Sequence, residues 1–183
     1  MTTAHHIASS SLKLFYQNGF HATGVELLSR EAGVTKKTLY RHFASKDLLI
    51  AAALELRHAW FMDKMRRFVE ASPEQDRPLA YIDFIASWTH EEGFFGCAFI
   101  NAAAEFAAAD MPPHQQAATH KQEVLEYVQK LCCHAQATQP ELIGEQLYLL
   151  GEGLIVTSQV QGYQPSKVES AKRMAKMVWQ SGG

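Results

Sequence analysis

The sequence predicts an all-α protein of about nine helices. Apolar residues recur at helical spacing through nearly every segment, and no alternating run of β-branched residues is long enough to build a sheet. Short breaks rich in Gly and Pro divide the chain into helix-sized pieces. Of its 183 residues, 47% are hydrophobic and 20% charged, a balance that can bury a core rather than remain unfolded.

The first helix is expected over residues 4–18, with Ile7, Ser11, Leu14 and Phe15 on one face. Asn18-Gly19 closes it, because Gly takes the left-handed conformation that ends helices. Thr23-Gly24-Val25-Glu26 reads as a capping box, Thr23 capping forward and Glu26 reaching back. It opens a second helix over 25–32, stopped by Gly33. Thr35 caps a third helix over 36–43, and Ser45 a fourth over 46–71. The polar stretch 72–78 carries two prolines and is expected as a loop. Helices follow over 79–90 and 96–109, separated by Glu91-Glu92-Gly93. Met111-Pro112-Pro113 is a hard break. Helices over 114–136, 141–161 and 166–180 complete the chain, interrupted at Gln139-Pro140 and at 162–165.

The formal net charge of −2 conceals an uneven distribution. Residues 1–50 hold six basic side chains (Lys13, Arg30, Lys36, Lys37, Arg41, Lys46) against three acidic ones (Glu26, Glu31, Asp47), and the remainder is acidic. A small basic head on an acidic body points to a polyanionic partner for the head. Within it, two short helices flank Ala32-Gly33-Val34, the plan of a helix-turn-helix whose second helix enters the major groove of double-stranded DNA. Leu27, Leu28, Val34, Leu39 and Phe43 supply the apolar contacts between the helices. The exposed face then carries Lys36, Lys37, Thr38, Tyr40, Arg41 and His42, side chains suited to base edges and phosphates. Lys46 sits in the first turn of a helix, where a cation opposes the helix dipole. A phosphate at that helix start would account for it, and Thr23 can hold a phosphate at the second helix in the same way.

The stretch from Thr23 to Lys46 resembles the DNA-binding domain of the tetracycline-repressor (TetR) family. Its marks are the Ala32-Gly33-Val34 turn, the Thr38-Leu39-Tyr40-Arg41-His42-Phe43 segment and the Ser45-Lys46 helix start. The resemblance implies a DNA-binding domain over residues 1–47 and a helical ligand-binding and dimerisation domain over 48–183. It implies phosphate contacts from Tyr40, His42 and Lys46, and base contacts near Lys36, Lys37, Thr38 and Arg41. With the caps Thr23 and Thr35, these make the expected DNA-binding set. Two departures stand out. Many relatives carry Gly where this chain has Lys37, and a hydroxyl residue where it has Gly24, so an altered sequence preference and a lost hydroxyl contact are expected. The implied function is a homodimeric regulator released from a pseudo-palindromic operator by a small effector.

Large aromatic and thioether side chains concentrate over residues 56–127. An apolar pocket with a few polar groups needs such a lining. Trp60, Phe61, Met65, Phe84, Trp88, His90, Phe99, Asn101 and Tyr127 are the expected effector contacts, with Glu105 a further polar candidate. Gly144, Gly151 and Gly153 lie among Leu142, Leu147, Leu149, Leu150, Leu154 and Ile155. Small residues permit close helix approach, so this helix and the last one, with Val168, Ala171, Met174, Ala175 and Val178, are expected to form a four-helix dimer interface.

No cofactor or metal is expected. His90-Glu91-Glu92-Gly93 lacks the second His of a zinc-protease motif, and no Cys-x-x-Cys occurs. Three cysteines, Cys97, Cys132 and Cys133, suggest free thiols rather than a disulfide framework, with a redox role for the adjacent pair the lesser alternative. A helical enzyme or carrier would draw on His90, Glu91 and Glu105, but no catalytic constellation assembles in the sequence. No apolar run approaches membrane-spanning length and residues 1–11 carry no signal pattern, so a cytoplasmic protein without a membrane partner is expected.

Overall fold

A computed structural model describes residues 2–182. Among the described residues there are nine α-helices and no strand. They are α1 (Thr3–Asn18), α2 (Val25–Glu31), α3 (Lys36–His42), α4 (Lys46–Glu70), α5 (Arg77–Thr89), α6 (Ala98–Glu105), α7 (Pro112–His134), α8 (Pro140–Gln161) and α9 (Pro165–Gln180), with a 3-10 turn at Glu74–Asp76 before α5.

The helix starts differ from the sequence expectation in one consistent way. Prolines read as separators lie instead in the first turn of α5, α7, α8 and α9. The first turn has no intrahelical acceptor for its N–H groups, so a missing N–H is harmless there and the fixed φ suits the helix. Helix α6 is shorter than expected. It stops at Glu105, and Ala107, Ala108 and Ala109 lie exposed beyond it, where helix propensity has no burial to reinforce it.

The chain forms two compact units. One comprises the described residues through Phe61 together with Ala98–His120, and the other Met62–Cys97 with Lys121 onward. The division expected after residue 47 falls inside the first turn of α4, which continues without interruption to Glu70.

In the first unit α2 packs on α1 and α3. Its core holds Ile7, Leu14, Phe15, Phe20, Leu28 and Leu39, all buried. The Phe15 and Phe20 rings lie 5.3 Å apart, and Phe106, just after α6, meets Phe20 edge-on at 6.2 Å. In the second unit α5 packs on α8 and α9, and α8 on α9. Tyr81, Ile82, Phe84 and Ile85 of α5 are buried with Leu147, Leu154 and Ile155 of α8. A half-buried ion pair, Lys121–Glu152 at 2.6 Å, ties α7 to α8.

Two of the three α8 glycines serve this intrachain packing rather than a dimer interface. A Cβ at Gly144 would stand 2.7 Å from Gln129 Cα, and one at Gly151 2.6 Å from the Tyr81 hydroxyl. Only at Gly153 is the space open.

Candidate nucleic-acid interface

Helix α3 is held by one fully buried side chain, Leu39, and by its cap. The Thr35 hydroxyl accepts from Thr38 N at 3.1 Å, as the sequence predicts. The preceding turn closes on Gly33 at φ +62°, where Gly33 N donates to Arg30 O and Val34 N to Ser29 O. That left-handed residue ends α2 and redirects the chain into α3. With Leu39 inward, Lys36, Lys37, Tyr40, Arg41 and His42 are exposed along α3, and Thr38 is half-buried. Tyr40 is 46% exposed, unusual for an aromatic side chain in a head this small.

The start of α2 departs from the expected capping box. The N-cap is Gly24, with no side-chain hydrogen bond. Thr23 is fully buried, and its hydroxyl donates to Gly19 O at 2.6 Å. The helix begins one residue later than Thr23 would require, so Thr23 closes the α1–α2 turn and its side chain leaves the contact surface. Glu26, freed from the box, pairs with Lys36, and the ammonium lowers the Glu26 carboxyl below its usual range. Lys36 therefore stands on the exposed surface as half of an ion pair.

Ser45 caps α4 as expected, its hydroxyl accepting from Leu48 N at 3.2 Å. The half-buried Lys46 ammonium donates to His21 O at 3.1 Å, which gives this first-turn cation a partner within the protein. An ammonium has three donors, so this bond leaves others for a phosphate.

The expected effector residues divide between the two units. In the first, Phe61 and Phe99 are buried around His120, Phe99 stacking on its ring at 3.6 Å and Phe61 meeting it edge-on at 5.2 Å. His120 Nδ1 lies 3.0 Å from His58 Nδ1. Neither histidine was expected; His120 is the buried member of the pair, and burial is something a single sequence does not display. Asn101 is half-buried on α6. Trp60 is 41% exposed, with the Arg57 guanidinium over its ring at 4.2 Å.

In the second unit Met65 is buried, and Phe84 and Trp88 stack at 6.5 Å. Tyr127 is half-buried with its hydroxyl near Glu70, and burial pushes the phenol up to about 12. His90 departs from this group: it is exposed and lies on Tyr163 at 4.0 Å, beside a surface groove of about 530 Å³ that Asp83 and Lys172 also line. Glu105 is engaged by the α1–α2 turn instead of a ligand site, its carboxylate accepting from Phe20 N and His21 N. Glu91 pairs with Lys64. The three acid-base candidates thus have separate partners. Among the described residues no group of three metal-ligating side chains occurs, and no helix is long and apolar enough to cross a membrane.

Comparison with known proteins gives this geometry a context. Residues 7–53 match the family model for bacterial regulatory proteins of the tetR family. The uncharacterized HTH-type transcriptional regulator YerO of Bacillus subtilis (strain 168) is 36% identical over 64 residues, which span 35% of this chain and 22% of that protein. The TetR-family transcriptional regulator SCO4454 of Streptomyces coelicolor superposes with a TM-score of 0.90 at 26% identity, covering 98% of this chain and 95% of its own. The reduced form of E. coli NemR shares the fold, with a TM-score of 0.83 at 21% identity over 96% of this chain and 95% of its own. The head over residues 7–53 thus matches the tetR family of bacterial regulatory proteins, and the fold that continues from it is similar to that of a TetR-family transcriptional regulator.

Proposed function

We propose that this chain is a one-component repressor. It binds a pseudo-palindromic operator as a homodimer and is released when a small apolar or aromatic molecule enters its helical C-terminal domain. The observation that carries the DNA-binding reading is α3, a helix pinned by buried Leu39 that turns Lys37, Tyr40, Arg41 and His42 outward. Lys37 and Arg41 can donate to guanine edges, while Tyr40, His42 and Lys46 suit phosphates.

A second copy of the chain is supported by apolar surface on α8 and α9. Leu142, Leu149, Val156 and Val160 of α8 are exposed, as are Met174 and Met177 of α9. Three of these six, Leu142, Leu149 and Met174, are among the residues expected from sequence, but Leu147, Leu154, Val168, Ala171 and Ala175 are buried within the unit. A two-fold dimer supplies two α3 helices, and a pseudo-palindromic operator offers them half-sites one helical turn apart, roughly 34–36 Å.

The buried aromatic clusters around Phe99 and Phe84 support an apolar effector. Release is a population shift. The effector stabilises a conformer whose α3 helices are wrongly spaced for the operator, and α4 carries the change to the head. The test is selection of a duplex from random DNA, followed by fluorescence anisotropy. Lys37→Ala and Tyr40→Ala are expected to abolish binding while circular dichroism stays that of the native protein. Wild-type affinity in both variants overturns the assignment. A screen of apolar and aromatic compounds for release of the selected duplex then tests the effector class.

A further inference from the structure

The α1–α2 turn is held from outside by one carboxylate. Glu105, the last residue of α6, accepts from Phe20 N at 2.9 Å, from His21 N at 2.7 Å and pairs with His21 Nδ1 at 3.1 Å. Bonds from N–H groups to an ionised carboxylate are stronger than those to a neutral acceptor. Space for the carboxylate exists because residue 19 is Gly, at φ +88°: a Cβ there would stand 3.0 Å from Glu105 Oε1. Phe106 extends the grip, its ring lying on that of His21 at 4.5 Å, and His114 at the start of α7 holds the Phe106 carbonyl through Nδ1 at 2.9 Å.

The other side of His21 faces the DNA-contact set. Its carbonyl accepts from the Lys46 ammonium at 3.1 Å. One residue therefore joins the end of α6 to the first turn of α4. The same eight-residue α6 carries Phe99, stacked on His120, so a displacement of α6 at either end moves Glu105.

We propose that Glu105 is a positioning residue for DNA binding: by fixing His21 it aims the Lys46 ammonium, and through it the state of α6 sets the affinity of the head. This rests on the DNA-binding reading above and adds to α4 a second route of control. When the carboxylate is lost, the turn samples orientations in which Lys46 no longer faces a phosphate. Apparent affinity then falls with the fraction of competent molecules.

The test is a double-mutant cycle, read by anisotropy on the duplex selected by the wild-type protein. Glu105→Ala is expected to weaken binding about tenfold, within the usual range of coupling between sites. Glu105→Gln, whose amide oxygen still accepts one N–H bond, is expected to lose less, and it keeps the test open if the alanine variant fails to fold. In a Lys46→Ala background, Glu105→Ala should change affinity by less than about twofold, because the group it aims is gone. A merely structural role would give equal losses in both backgrounds, and that result overturns the proposal. So does wild-type affinity of Glu105→Ala alongside weakened Lys46→Ala, which leaves the DNA-binding reading standing. If the wild-type protein selects no duplex at all, both fall together.

Discussion

Cys132 and Cys133 are neighbours in sequence and opposites in environment. Cys132 is fully buried and Cys133 exposed, since one step along a helix turns a side chain by about 100° and here crosses the edge of the covered face. Burial pushes the Cys132 thiol up to about 12, so at pH 8 the thiolate that reacts is scarce there. Iodoacetamide at pH 8, followed by peptide mass spectrometry, should label Cys133 first and reach Cys132 and Cys97 only on unfolding. Equal rates at Cys132 and Cys133 would contradict this. The outward placement of Lys36, Lys37, Tyr40, Arg41 and His42 is legible one by one because the inward residue of their helix, Leu39, is plain. Thr23 was misread because its hydroxyl has two acceptable uses, a helix cap or a turn bond to Gly19, and the choice depends on where α2 begins.

At the scale of the element, α8 shows how a glycine is chosen by its neighbour. Gly151 lies under the fully buried Tyr81 ring, with the hydroxyl 2.6 Å from where a Cβ would be. Alanine at 151 gains about 1 kcal/mol of helix propensity. It also forces two packed helices apart, a change that usually costs about 1–3 kcal/mol. Overpacking wins, because the obstacle is a ring held on all sides rather than a flexible chain end. Gly151→Ala should therefore lower stability, with a fall in Tm of roughly 2–4 °C per kcal/mol lost. Gly153→Ala, which meets open space, should leave the Tm unchanged or raise it, and a thermal melt of the two variants distinguishes the positions. The helices themselves were readable because their breaks are marked by Gly and Pro. Their exact first residues were not, since proline both ends and begins helices.

For the whole molecule, the proposed dimer makes a separate demand. Val160, Met177 and Leu149 are 76%, 64% and 59% exposed, too apolar a face to leave in water without purpose. Leu149→Glu combined with Met177→Glu places charge in the centre of that face. By sedimentation velocity it should convert a dimer to a monomer with unchanged helix content. An unaltered dimer would move the interface elsewhere. In the proposed dimer each copy reads one half-site, so the same variant should lose most of its operator affinity.

The all-helical fold, the helix-turn-helix and the exposed face of α3 follow from patterns within a few turns of one another: apolar spacing, capping residues and a glycine turn. What meets across long separations emerges only when the helices pack. That packing places Glu105 on His21, His120 against His58, and Gly151 beneath Tyr81. Such pairings depend on how helices cross, and a helix pattern states which face is buried without stating what buries it.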